Sequence, residues 1–270
     1  MTPVVLGLLM LASDSASASS VPRRPLTPKA IPRATGEWPD LAGRWASAQV
    51  STAVSEAPLL GDLTTETLAL SLVEIRQKGR ELELTQTVCR LETSSPTPFV
   101  KTVYPPAFLR ALSGSARRGR LERRGDATWL VLPRAWEVKG ASLDAVTAPL
   151  PESADDPRVV DGDGDGAPGL TVEIAGLVTG LVRVVTRGWT AGAGRVDPST
   201  SPPSEIAGRI RWWTDQRVVA VTHSLLAHRP KTEPHPDPRR SWFRLRRLPP
   251  GATCRDVSAL GGDWTESPPP

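Results

Sequence analysis

Residues 80–91 read RELELTQTVCRL, and this stretch constrains the fold more than any other. In an extended chain Leu82, Leu84, Gln86 and Val88 point one way, and Glu81, Glu83, Thr85 and Thr87 the other. Period two with one apolar face is the pattern of a half-buried antiparallel strand. An α-helix would scatter those leucines around its circumference. Gln86 is the polar exception on the apolar row, as a group lining a cavity would be. Cys89 falls on the polar face unless a bulge shifts the register.

The same kind of signal recurs along the chain. Residues 67–76, TLALSLVEIR, form a hairpin with 80–91 through Gly79. A short strand is expected at 100–104 and a helical turn at 106–112. The arginine-rich 117–124 makes one edge of a hairpin that returns through 127–132. Residues 170–187 read as one hairpin near the core, and 189–205 as loop. Residues 206–213 and 217–224 read as a second hairpin turning at Thr214-Asp215-Gln216, with Trp212 and Trp213 on opposite faces. The last strand is 241–248, where Phe243 and Leu245 alternate with Arg244 and Arg246. The 28 prolines and 22 glycines supply the turns and disfavour long helices. The expected fold is mainly β: a single antiparallel barrel-like (lipocalin-like) or sandwich domain over residues 37–262. The alternative is two small β subdomains hinged at 149–169.

The ends read differently. Residues 1–20 carry an apolar run followed by Ala16-Ser17-Ala18, the pattern of a secretory signal, although no basic residue precedes the run. The run is too short to span a membrane. Residues 21–36 form a proline-rich linker, and 263–270 a disordered tail. A secreted, periplasmic or cell-envelope protein is expected. In such a compartment Cys89 and Cys254, the only two cysteines, are expected to pair.

Residues 161–173 read DGDGDGAPGLTVE and carry the clearest chemistry. Asp161, Asp163 and Asp165 have the i, i+2, i+4 spacing of the first three EF-hand ligands. The intervening glycines let the chain bend. Three close carboxylates repel one another, and a divalent cation relieves that repulsion. The EF-hand pattern then fails. Its bidentate Glu belongs at position twelve, which here is Val172, and Glu173 comes one residue late. Pro168 and Gly169 also oppose a helix. The expectation is a structural Ca²⁺ loop at a strand entrance, with Asp161, Asp163, Asp165 and Glu173 as ligands and Asp155 or Asp156 as further oxygen donors.

Four stretches, DGDGDGAPGLTVEI, GLVRVVTRGW, EIAGRIRWW and the late arginine-rich strand leading to GATC, resemble a group of uncharacterised secreted or envelope proteins of myxobacteria. That resemblance implies a location and no activity. This chain has Ala167 where such proteins carry Lys or Arg. Gly43-Arg44-Trp45 is similar to the first strand of lipocalin-type barrels. That likeness implies that Trp45 plugs the closed end, with Arg244 or Arg246 stacked across it.

Catalytic patterns are sparse. The sequence has no Gly-x-Ser-x-Gly elbow, Cys-x-x-Cys pair or Walker A loop, and no Gly-x-Gly-x-x-Gly that stands before a helix. His223, His228 and His235 are too dispersed to require a zinc site. A non-catalytic role is therefore favoured. The partner is a small apolar ligand inside a barrel or an envelope component such as a protein or glycan; a hydrolase is the third reading. The arginine run 117–124 lacks the interleaved aromatics of a nucleic-acid surface, so no nucleic-acid partner is expected.

Overall fold

The computed structural model describes residues 38–57, 61–94, 100–227, 232–261 and 263–266. The expected signal, linker and His228 lie outside the described residues. Among those described, the strands are β1 (Gly43–Ala57), β2 (Gly61–Lys78), β3 (Glu81–Ser94), β4 (Val100–Val103), β5 (Ala116–Arg124), β6 (Ala127–Lys139), β7 (Leu170–Gly176), β8 (Gly180–Val196), β9 (Glu205–Val221), β10 (Thr232–Pro234) and β11 (Trp242–Leu248). Short helices α1 (Pro106–Ala111), α2 (Cys254–Ala259) and α3 (Asp263–Glu266) complete the set. No helix is long and apolar enough to cross a membrane among the described residues.

The strands close into a ring. β1 pairs with β2, β2 with β3, β3 with β5, β5 with β6, β6 with β8, β8 with β9, β9 with β11, and β11 with β1, all antiparallel. The fold is mainly β, one large antiparallel sheet with ring-like bonding. β4 and β7 extend the sheet beside the start of β8, and β10 pads the end of β1. Closure changes the meaning of the arginine-rich stretch: β5 is no edge but lies between β3 and β6.

Two long strands replace expected breaks. β9 runs straight through Thr214-Asp215-Gln216, because these residues keep the in–out alternation: Thr214 is buried and Asp215 pairs outside with Arg187 at 2.9 Å. β8 continues to Val196 through residues expected to be loop. Its Gly194 faces inward, where an added Cβ would lie 2.7 Å from the Phe243 ring. The glycines that looked like loop signals make room for an aromatic side chain.

The interior is graded. One end holds an apolar cluster of Trp45, Leu82, Leu84, Leu121, Leu130, Ile206, Ile210, Phe243 and Leu245. At the other end, Phe108 and Leu112 beside α1 and Leu170, Val172 and Ile174 of β7 pack against inward-facing Ala69, Val88 and Leu91. Between them lie Ser47, Gln49, Ser71 and Arg117, all buried.

Trp45 is fully buried and its ring is covered by Arg247, 4.5 Å from the centroid. Arg244 and Arg246 do not take this place. Trp45 pairs with Arg247, which shares its face with Phe243 and Leu245, so the alternating Arg244 and Arg246 point outward, over Trp242 and Trp264.

Outside β1 and β2, α2 and α3 cover Ala46, Ala48, Val50, Leu70 and Trp242. Trp264 of α3 is buried there, although residues 263–266 read as the start of a disordered tail. Cys89 is the extra residue of a bulge, since Leu70 pairs with Arg90 and Ser71 with Val88. Cys89 lies on the outer face, where alternation from inward Val88 puts it, and there it bonds Cys254 at the start of α2, 165 residues away. The link restricts a very long loop in the unfolded chain, which corresponds to about 5 kcal/mol in the chain-entropy model. Urea unfolding with and without reductant should show a loss of about 2–4 kcal/mol on reduction, and Cys254→Ser should lose the same amount without reductant.

Candidate metal centre

The acidic loop is fastened to the barrel before any side chain is considered. Val160 N–H donates to the Gly140 carbonyl, Gly162 N–H to Gly169 at 2.8 Å, and Gly169 N–H to Val160 at 2.9 Å. Gly169 has φ +85°, and an added Cβ would stand 2.7 Å from the Val184 carbonyl oxygen on β8. Only glycine allows that approach.

The carboxylates then fold inward on the backbone. Asp161 accepts from the amides of Gly164 at 2.7 Å, Asp165 at 3.2 Å and Gly166 at 2.9 Å. Asp165 accepts from the Ala167 amide at 2.8 Å. Asp163 Oδ2 accepts from the Thr171 amide at 2.9 Å, which ties the loop to the first residues of β7. Its Oδ1 is buried without a hydrogen-bond partner among the described residues. One oxygen from each of the three lies within 4.8 Å of the others, so the group can hold a metal ion.

Electrostatics separate the three. Burial, followed by the charges of Asp165 and Asp161, pushes the Asp163 carboxyl above its ordinary range. The Gly166 amide, helped by those of Gly164 and Asp165, draws Asp161 below it. Glu173 stands outside the group, on β7 opposite Val103 and Leu181. Asp156 is committed to Arg158, whose side chain at 2.6 Å holds its carboxyl down at about 2.

A scan of family models, a search of curated proteins and a search of solved structures each found no match. The chemistry must come from the residues alone.

The two described histidines serve local turns. His223 Nδ1 accepts from the Leu225 amide, and His235 Nδ1 from the Asp237 amide. Among the described residues the acidic loop is the one group of three or more potential ligands.

A second polar group lies inside the barrel. Gln86 donates to Ser71 at 2.6 Å and lines a cavity of about 40 Å³, together with Ser47, Gln49, Ser115, Arg117 and Phe243. Arg117 donates to the carbonyls of Pro133 at 3.1 Å and Thr190 at 3.0 Å. Burial lowers its pKa to about 10, against the opposing pull of Glu137. Glu137 is in turn paired with Lys139 at 2.7 Å. Arg117 was hidden in the arginine run. Its signal was parity: residues 117, 119 and 121 share one face, and Leu121 is core.

The acidic loop gives a prediction of sign. With chelator present, ionising Asp163 costs more in the folded than in the unfolded chain, so its contribution weakens stability as pH rises from about 4 through its raised folded value. Asp161 does the reverse: it adds stability above the ordinary carboxylate range, and this is lost as pH falls through its lowered value. Melting curves from pH 3 to 8 in chelator should therefore place Asp163→Asn above the parent near pH 7, with the gap closing toward pH 3. Asp161→Asn should melt lower at neutral pH.

Proposed function

We propose that this chain is an exported, non-catalytic barrel that binds Ca²⁺ as a structural ion and meets a cell-envelope component through its outer face. The observation that carries the reading is the convergence of Asp161, Asp163 and Asp165 within 4.8 Å on a loop clamped to β8. Calcium suits this all-oxygen, adaptable ligand set, whereas Mg²⁺ demands near-ideal octahedral geometry. The ion would neutralise the repulsion at Asp163 and occupy its unpartnered oxygen. Water or backbone carbonyls would complete the shell, and Glu173 is left out of the ligand set.

The interior supports a structural role over carriage of an apolar ligand. The cavity beside Gln86 is about 40 Å³, enough for a few water molecules, and several of its lining groups are polar. Sites for drug-sized ligands span roughly 300–1,000 Å³. The Cys89–Cys254 bond supports export, because such bonds persist in oxidising compartments.

Calorimetric titration with CaCl₂ should report one site in the parent and none in Asp163→Ala. At a free Ca²⁺ concentration about 100 times Kd, the parent should gain about 2.7 kcal/mol. That corresponds to a melting shift of several degrees for a chain of this size. Equal heats in parent and variant, or a melting temperature indifferent to Ca²⁺, would remove the metal from this reading.

A further inference from the structure

Three tryptophans stand in one row across three neighbouring strands. Trp136 of β6 lies opposite Trp189 of β8, and Trp189 lies opposite Trp213 of β9. Direct opposition puts them on one face. That face is the outer one, because the alternating Trp212 and Thr214 are buried. Trp136 and Trp213 meet edge to face with centroids 5.9 Å apart, and Trp213 is 36% exposed.

The next row has Ala191 at its centre. Arg211 lies directly opposite it on β9. On the other side, where β6 shifts register between Leu132 and Ala135, Arg134 lays its guanidinium over the Trp189 ring at 4.1 Å. Both arginines are exposed. Neither side chain has a hydrogen bond or ion pair among the described residues. Further along the same face is Arg195, also exposed. The nearby carboxylate on β5, Glu122, is already shared by Arg120 at 2.7 Å and Arg124 at 3.0 Å. Among the described residues the row around Ala191 therefore presents positive charge without a compensating anion.

Stacking occupies the flat face of a guanidinium and leaves its N–H edge free for a planar anion. Arg134 is held in that posture. The small Ala191 separates Arg134 from Arg211, and the tryptophan row lies beside it. Arg134 and Arg211 stand two strands apart, roughly 10 Å at the backbone.

We propose that this face binds an acidic polysaccharide. A sugar ring packs on the exposed Trp213, and the acidic groups of the chain pair with Arg134 and Arg211 beside Ala191. This inference rests on the contact-surface part of the reading above and is independent of the calcium part. A single-stranded nucleic acid fits the face less well. It needs successive open aromatic faces for successive bases, whereas here Trp189 is covered by Arg134 and the other two rings are set edge to face.

The test is calorimetric titration of the full chain, in Ca²⁺-free buffer, against sodium polygalacturonate, neutral dextran and oligo-dT. The parent should bind polygalacturonate, with affinity falling as NaCl is raised. Arg134→Ala/Arg211→Ala should bind at least about tenfold more weakly, and Trp213→Ala should also lose affinity. The double arginine variant should keep the parent's melting temperature, since Arg134 and Arg211 are exposed. Equal polygalacturonate affinity in the double variant, or tighter binding of oligo-dT, would overturn the proposal. Dextran bound equally by parent and double variant would overturn the acidic ligand while leaving a contact surface in place. Failure to bind any of the three would remove both, with the calcium titration still read separately.

Discussion

Arg247 lying across Trp45 is the contact on which the Trp45 end of the barrel depends. The guanidinium stacks on the ring and donates to the carbonyls of Asp40, Ala42 and Pro203. One side chain therefore joins the first strand, the last strand, the segment leading into β1 and the β8–β9 connection. Trp45 donates its own Nε1–H to the Leu41 carbonyl at 2.9 Å, and Gln77 accepts from the Leu41 amide at 2.7 Å. Burial works against the charge on Arg247 and lowers its pKa. Three carbonyl acceptors and an aromatic face compensate for that lost hydration. A cation so placed cannot slide by one residue without losing every partner, and this fixes the register of β1 against β11.

Closure in turn decides what the outer surface can present. With no free edge along the ring, the segment from 141 to 169 has only the sheet face to pack on. It buries Leu150 against Val185 and Val219. Arg187 pins it by donating to the carbonyls of Val146 and Ala148 while pairing with Asp215. The acidic loop ends this segment, clamped by Gly169 against β8 and handed into β7 through the Asp163–Thr171 bond. The cover reaches the Arg187–Asp215 row, and the tryptophan row begins two residues further along the same strands. The acidic loop and the tryptophan row are thus neighbouring consequences of one packing arrangement.

Much of the fold was legible in alternation. The β2–β3 hairpin, α1, the β7–β8 hairpin and the short strand β4 all lie where periodicity and turn residues put them. The disulfide was legible because two cysteines allow one internal pairing. Alternation names two faces but does not say which is inside, so the arginine run 117–124 does not single out Arg117 as buried. Applied strictly, it would have excluded Arg244 and Arg246 from the Trp45 stack in favour of Arg247. Polar triplets and glycines misled where tertiary packing overrode local preference, at Thr214-Asp215-Gln216 and along 189–196. In the acidic loop, spacing gathered the three aspartates. The fourth position depended on how the strand leaves the loop, and β7 carries Glu173 away from them.

The central claim is that Arg247 holds the seam of a closed ring. Hydrogen–deuterium exchange of the parent and Arg247→Met tests it most directly. If the claim is right, amides of β1, β11 and β9 lose protection together, far beyond the residues that touch Arg247. Loss confined to residues 39–45 and 203–204, with β9 and β11 as protected as in the parent, would contradict it.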